Sequence, residues 1–315
     1  MTERLAPVEE PALVPEILEY YTQNTDEERR LTDSADGRLE LLRTKELLRR
    51  HLPPAPARVL DVGGGPGVHA RWLADDGYSV HVVDPVPRHV ERVAEHGNLS
   101  AELGDARKLA APDASYDVVL VLGPLYHLLD CEERLQALAE ARRVVRPGGL
   151  VAAAAIGRYA SLFEHVATGW LGTKESVRDA VTDILRSGVH EPGRRGFTAA
   201  YFHTGDQLAE EMAVAGLPDA RVYGIEGPTW GALKAVEQHS RPLTDDSPLF
   251  TSALEAARLA EPYPDLLAAS SHMLAVAQAG VGGCETAGAR GRAGLERLRA
   301  AASQGLTPPS PPPGK

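Results

Sequence analysis

Val59-Leu60-Asp61-Val62-Gly63-Gly64-Gly65-Pro66-Gly67 is the stretch that decides the fold, and a second apolar run, Val80-His81-Val82-Val83, follows it and ends in Asp84. An apolar run that stops at a glycine turn and restarts as an amphipathic segment is a strand, a tight loop and a helix, the opening unit of a nucleotide-binding α/β half. Gly63, Gly65 and Gly67 lack Cβ, so the backbone can take positive φ and let a ligand lie against the main chain, facing helix N-terminal amides. Their spacing is G-x-G-x-G. A dinucleotide fingerprint counted from Gly63 needs its third glycine at position 68, which is Val68. Asp84, at the end of the second strand, is placed to accept hydrogen bonds from ribose hydroxyls. The unit therefore predicts an adenosine-containing ligand, with a pyrophosphate disfavoured.

Further segments then fall into order. Val59 to Gly67 resembles motif I of the class I S-adenosylmethionine-dependent methyltransferases, and Asp84 resembles their ribose-binding acid. Gly104-Asp105-Ala106 resembles the acidic motif at the adenine edge. Tyr116-Asp117-Val118-Val119-Leu120-Val121-Leu122-Gly123 resembles the fourth strand, and Arg146-Pro147-Gly148-Gly149-Leu150 the turn before the fifth, after a helix from about Glu132 to Val145. The match covers roughly residues 55 to 160, about a third of the chain.

The resemblance implies an α/β fold: a seven-stranded, Rossmann-like, mostly parallel sheet whose last strand is antiparallel. It implies S-adenosyl-L-methionine as cofactor, held by Asp61, Gly63, Gly65, Gly67, Asp84, Pro85, Asp105, Ala106, Leu122 and Gly123. From an N-terminal cap, Tyr20 and Tyr21 are expected either to meet the methionine end of the cofactor or the substrate, with Tyr21 the cofactor candidate, or to pack the cap on the core.

The 315 residues are 43% hydrophobic and 5% aromatic, enough for one enlarged α/β domain. Cys131 and Cys284 make no disulfide framework and neither has metal-ligand spacing, so no metal is expected and a reducing cytoplasm fits. No run of about eighteen apolar residues occurs, and the first residues lack a signal-peptide profile; a soluble cytoplasmic protein is expected. The net charge of -11 opposes a phosphate-contact stripe, so a small-molecule acceptor is expected rather than nucleic acid or membrane. The Arg29-Arg30, Arg49-Arg50 and Arg194-Arg195 pairs read as solvated positions.

Around the core, residues 1–54 read as a helical cap, with a polar break from Thr22 to Gly37 and a stop at Pro53-Pro54-Ala55-Pro56. Residues 55–279 read as the main domain. Lid insertions are expected at about 158–200, as two helices broken near Gly172, and at 228–264. Thr204 is a plausible N-cap for a final core helix. Ala220 to Ile225 and Ser271 to Ala277 read as the last strands, and the Gly-, Ala- and Pro-rich residues 280–315 as a disordered tail.

Methyl transfer needs a nucleophile placed in line with an activated methyl group, and a base only where the acceptor is protonated. His127, after the fourth strand, is the first candidate for a base or substrate hydrogen bond, and His203 the second. Tyr126, Tyr159 and Tyr201 are candidate acceptor-pocket walls. Arg43 on the cap is a candidate carboxylate partner, and Glu226 a carboxylate or only a turn. Two other readings stay open: a non-catalytic S-adenosylmethionine binder, and a nicotinamide-dependent oxidoreductase, for which no hydride-site pattern is found.

Overall fold

The structure is a computed structural model that describes residues 21, 27–191 and 198–280. All but the first residue of the tail expected over 280–315, the cap before Tyr21 and most of the loop around Pro192 lie outside the described residues.

Valine- and leucine-rich runs with no polar alternation make strands buried on both faces, the signature of a parallel sheet covered by helices. Here they are β1 (Arg58–Val62), β2 (Ser79–Asp84), β3 (Ser100–Leu103), β4 (Tyr116–Val121) and β5 (Val145–Gly157). They pair in parallel in the order β3-β2-β1-β4-β5. β9 (His272–Gln278) runs antiparallel beside β5, from Leu150 opposite Gln278 to Ile156 opposite His272. β8 (Arg221–Gly224) lies antiparallel on β9. These seven strands form the expected sheet, and the antiparallel β9 carries His272 to the edge where the parallel strands end.

Strand alternation assigns the two faces. Leu60, Val119 and Val151 pack against Leu138 of α6 (Cys131–Val144) and Leu208 and Met212 of α9 (Gly205–Val214). Val59, Val118 and Ala152 pack on the other face with Leu73 of α3 (Val68–Asp75) and Leu47 and Leu48 of α2 (Ala35–His51). Burial of a leucine of this kind contributes about 1.5–3 kcal/mol. α9 starts at a capping box, in which Thr204 accepts from the Gln207 amide and Gln207 reciprocates.

Three local features differ from expectation. The polar stretch from 22 to 37 contains a helix, α1 (Glu27–Asp33), because Leu31 alone supplies its buried contact at 3% exposure. β5 starts six residues before Val151, running through the Arg146-Pro147-Gly148-Gly149 turn with a register shift opposite Tyr116 and Val118. After the lid helices α7 (Ala160–Ala167) and α8 (Glu175–Ser187), a hairpin of β6 (Val189–His190) and β7 (Ala200–His203) extends the sheet from the end of β5. These strands are too short to display a period of two.

The cap and the second insertion are one structural layer. Ala35 and Leu39 of α2 pack with Trp230 and Leu233 of α10 (Trp230–His239) and Phe250 and Ala253 of α11 (Pro248–Ala260).

Candidate functional site

Ligands of open α/β sheets bind beyond the carboxyl ends of the strands, and the main cavity lies there. It spans about 1060 Å³ counting its open mouth, the scale of a cofactor site. After β1 the chain turns through Gly63 and Gly65 at φ of 66° and 55°. A Cβ on Gly63 would lie 2.7 Å from Pro124 Cγ, so the loops after β1 and β4 approach only because this residue has none. A Cβ on Gly65 would meet nothing within 4 Å; it faces open space.

Three acids serve the cavity in different states. Asp61 is 1% exposed, lines the cavity, and has no hydrogen-bond partner on either carboxylate oxygen among the described residues. Burial, and then the neighbouring Asp84 charge, push its pKa up to about 7. Asp84 accepts from the Gly65 amide at 2.8 Å and the Val86 amide at 2.9 Å, with His89 Nδ1 at 3.0 Å. Asp105 accepts from the Arg107 amide at 2.8 Å and from its guanidinium. Burial raises the Asp105 pKa, but the Arg107 hydrogen bonds and charge outweigh it and hold the carboxyl below its ordinary range. Arg107 is steadied by Glu133.

Beside the glycine loop, α5 (Pro124–His127) lines the cavity with Tyr126 and His127. Tyr21 Oη lies 2.8 Å from His127 Nε2, and the two rings meet edge-on. Burial lowers the His127 pKa to about 4, against smaller opposing effects of a backbone hydrogen bond at Ala199 and the Asp84 charge. His127 is therefore a neutral imidazole at neutral pH.

The cap closes the remaining side with Arg30, Leu31 and Glu40, next to His69 in the first turn of α3. Arg30 grips Glu40 with two hydrogen bonds of 2.7 and 2.9 Å. His272 Nδ1 stands 3.5 Å from Glu40 and 2.5 Å from Glu226. Glu226 also accepts from Ser270 Oγ at 2.8 Å and the His272 amide at 2.9 Å. Burial works against both charges, yet Arg30 and His272 bring Glu40 down to about 2, and Glu40 and Glu226 bring His272 up to about 9.

Of the residues expected at the site, the cavity brings together Tyr21, Asp61, Gly63, Gly65, Asp84 and Pro85 with Asp105, Ala106, Leu122, Gly123, Tyr126 and His127. Gly67 is not in its lining; it takes φ of 84° at the start of α3, and a Cβ there would meet Val93. His203 must be corrected as a proton-transfer candidate. It is fully buried away from the cavity, with Nε2 3.1 Å from Glu211, which itself pairs with buried Arg134 at 2.8 Å. Tyr201 belongs to the same network, its ring 3.8 Å under the Arg134 guanidinium. Tyr159 precedes α7 and is 37% exposed, outside the cavity. β7 accounts for His203 and Tyr201: paired beside the end of β5, it sets them against Glu211 of α9 and Arg134 of α6. Arg43 is likewise structural, fully buried against Glu46, Glu261 and the Ile225 carbonyl.

Sequence reasoning missed Arg30, Glu40, His69 and His89. His89 carried a usable signal, lying five residues past Asp84 in the first turns of a helix. Arg30 had none, because an Arg-Arg pair in a polar stretch reads as solvated.

Residues 59–149 match the family model described as a methyltransferase domain. The chain is 33% identical over 135 residues to a ubiquinone biosynthesis O-methyltransferase of Methylocella silvestris, covering 40% of this chain and 52% of that protein. It is 34% identical over 131 residues to the 27-O-demethylrifamycin SV methyltransferase of Amycolatopsis mediterranei, covering 39% and 43%. The chain thus spans about half the length of the curated relatives it matches. Among solved structures, a SAM-dependent methyltransferase of Methanosarcina mazei superposes with a TM-score of 0.50 at 15% identity, covering 75% of this chain and 98% of that one. A SAM-dependent methyltransferase of Thermotoga maritima gives 0.53 at 18% identity, covering 84% and 99%. These likenesses show the shared fold.

Proposed function

We propose that the chain is a class I S-adenosylmethionine-dependent methyltransferase that methylates a hydroxyl oxygen of a small molecule. The observation that carries the reading is one cavity with two unlike features in its lining: the buried carboxylate of Asp61, which has no hydrogen-bond partner among the described residues, and the Tyr21–His127 pair. A buried carboxylate with no partner costs several kcal/mol unless a cation completes it. The ammonium of the cofactor's methionine end fits that vacancy in hydrogen bonding, while Asp84 faces the ribose and the Gly104–Ala106 loop the adenine.

S-adenosylmethionine, when bound, supplies an electrophilic methyl group on a sulfonium. The chain's own residues then have to orient the acceptor and exclude water. A neutral His127 paired with Tyr21 holds an acceptor hydroxyl by hydrogen bonding and takes up its proton as the oxygen is methylated. A base whose conjugate acid titrates near 4 is weak, so this arrangement suits an acidic hydroxyl, such as a phenol or enol, better than an alkyl alcohol. The names of the curated relatives, an O-methyltransferase of ubiquinone biosynthesis and a rifamycin methyltransferase, support an oxygen acceptor and secondary-metabolite chemistry.

The test has two stages. Thermal-shift titration should show stabilisation by S-adenosylmethionine and S-adenosylhomocysteine and none by NAD; stabilisation by NAD alone would overturn the reading. A methyl-labelled donor added with the chain to a cell extract should then label the low-molecular-weight fraction. Once the acceptor is in hand, His127→Ala should lower kcat by roughly 10²-fold, the usual scale of general-base loss, while S-adenosylhomocysteine affinity stays within about twofold. An unchanged kcat removes His127 from the mechanism.

A further inference from the structure

α5 is a single turn, and a single turn has no stability of its own. The place of His127 at its end is therefore set by what grips the turn on either side. At the entry, Pro124 packs against Gly63, where a Cβ would lie 2.7 Å from it, and Leu125 is fully buried in the core. At the exit, Arg134 Nη1 donates to the Leu128 carbonyl at 2.9 Å and to the Leu129 carbonyl at 2.8 Å. These are the first two carbonyls after His127, and a helix end leaves such groups in need of donors.

Arg134 reaches them from the start of α6, and its other two nitrogens face Glu211 at 2.8 to 3.1 Å. Glu211 Oε2 in turn lies 3.1 Å from His203 Nε2. A carboxylate only accepts, so the imidazole proton is on Nε2. Nδ1, which has no hydrogen-bond partner among the described residues, carries the lone pair. Burial lowers the His203 pKa over the opposing charge and hydrogen bond of Glu211. The ring is thus a neutral donor, and the charges of Arg134 and Glu211 cancel one another.

We propose that Arg134 is a positioning residue for the reaction: fixed by Glu211 and His203, it clamps the carbonyls of Leu128 and Leu129 and so sets where His127 meets the acceptor. The proposal rests on the reading of His127 as the group that holds the acceptor hydroxyl. An ion pair buried to 2% and 1% exposure is often no more stabilising than apolar side chains of the same volume. Apolar side chains, however, would leave two carbonyls beside the site without donors. A guanidinium has the fork to serve a carboxylate and two carbonyls at once. The network also crosses between elements: His203 ends β7, the strand that returns from the lid, so that strand and the acceptor histidine are linked through Glu211 and Arg134.

Measurements on the full chain test the clamp. Arg134→Lys keeps a cation opposite Glu211 and loses the fork. With methyl-labelled S-adenosylmethionine and the low-molecular-weight extract fraction as acceptor, its rate of methyl transfer should fall roughly 10- to 100-fold, the cost of a small misplacement of a reacting group, while S-adenosylhomocysteine affinity by calorimetry stays within about twofold. Imidazole NMR with nitrogen-labelled histidine, assigned by His127→Gln, should show the His127 ring signals moved or doubled in Arg134→Lys and those of His89, the ring beside Asp84, in place. His203→Leu should lower the rate about 10-fold and His203→Gln, which restores a donor toward Glu211, less; this pair carries the test if Arg134→Lys does not fold. Unchanged His127 signals in folded Arg134→Lys overturn the proposal. Equal weakening of S-adenosylhomocysteine binding and methyl transfer also overturns it, since that marks a general loss of structure. If His127→Ala abolishes transfer and Arg134→Lys does not lower it, the proposal alone falls; if His127→Ala itself leaves transfer unchanged, the reading of the site falls and the proposal with it.

Discussion

Two carboxylates from different parts of the molecule line the cavity, and the protein treats them oppositely. Asp61, on the sheet wall, has no partner and titrates near 7; Glu40, on the cap wall, is held by Arg30 and His272 and titrates near 2. The same chemical group is left unsatisfied where a ligand is to arrive and satisfied where architecture is to be held. The sheet wall is thus incomplete as a folded structure, whereas the cap wall is complete and serves as a frame. Asp61 is buried and Glu40 half-buried, but it is the count of partners that sets their pKa values apart.

Removing the unsatisfied charge should have the largest effect, with opposite signs on stability and binding. The folded-state pKa of Asp61 is raised from 3.8 to about 7. The folded state therefore binds the proton more tightly, and the stability this gives is present below about 3.8 and lost as pH rises through 7. Asp61→Asn should remove that loss, so the variant's Tm at pH 8 should exceed that of the wild type when no ligand is added. Its S-adenosylhomocysteine affinity should fall roughly 100-fold, within the 2–5 kcal/mol range for truncating one member of a buried charge pair. Calorimetry and thermal denaturation on the same sample check both. A variant that binds normally would mean that Asp61 is only a buried strain.

The cap wall should respond in the other direction. The His272 pKa is raised from 6.5 to about 9 by Glu40 and Glu226, over the opposing effects of burial and Arg30. Its contribution to stability is full below about 6.5 and is lost as pH rises through 9. Glu226→Gln should destabilise the chain at pH 7 by about 1–3 kcal/mol, the cost of leaving a buried hydrogen-bonding group poorly served. It should also flatten the decline between pH 7 and 9. Urea unfolding at a series of pH values measures both; an unaltered pH profile would dissociate His272 from the cap's stability.

The asymmetry between the walls also explains what could be read in advance. The sheet wall is local in sequence: Asp61, Gly63, Gly65 and Asp84 sit in one strand–turn–helix–strand unit, where spacing and residue type carry the geometry. The tail of that logic reaches His127, which directly follows the Gly123 turn. The cap wall is assembled from Arg30, Glu40, Glu226 and His272, which are up to 242 positions apart and share no period. Their meeting depends on β9 running antiparallel and on α2 packing over α10 and α11, facts of tertiary structure. His203 failed for a related reason. Proximity to a helix start suggested a pocket, but β7 pairs with the end of β5 and turns that side chain toward Glu211. Arg43 does pair with carboxylates, but they are the protein's own Glu46 and Glu261, beside the Ile225 carbonyl, and the fully buried guanidinium does not line the cavity.

The smallest effect belongs to the join between the two walls. Glu28 of α1 bridges to Arg71 on α3 at 2.8 Å and to Arg92 on α4 (Pro87–Ala94) at 2.9 Å, tying the cap across the helices that flank the cofactor loop. All three side chains are about a quarter to a third exposed, so solvent screens the pairs and each contributes only about 0.2–1 kcal/mol. Cap closure nevertheless limits escape of anything held beneath it, and a small change in closure free energy passes directly into a dissociation rate. Glu28→Gln should accelerate S-adenosylhomocysteine release about two- to fivefold at low salt, measured by stopped-flow displacement. The difference from wild type should shrink as salt approaches about 1 M, where the screening length falls to about 3 Å. An acceleration that persisted undiminished at high salt would mean that the cap is held by its apolar contacts through Leu31, Leu39 and Trp230, with the two arginine bridges incidental to it.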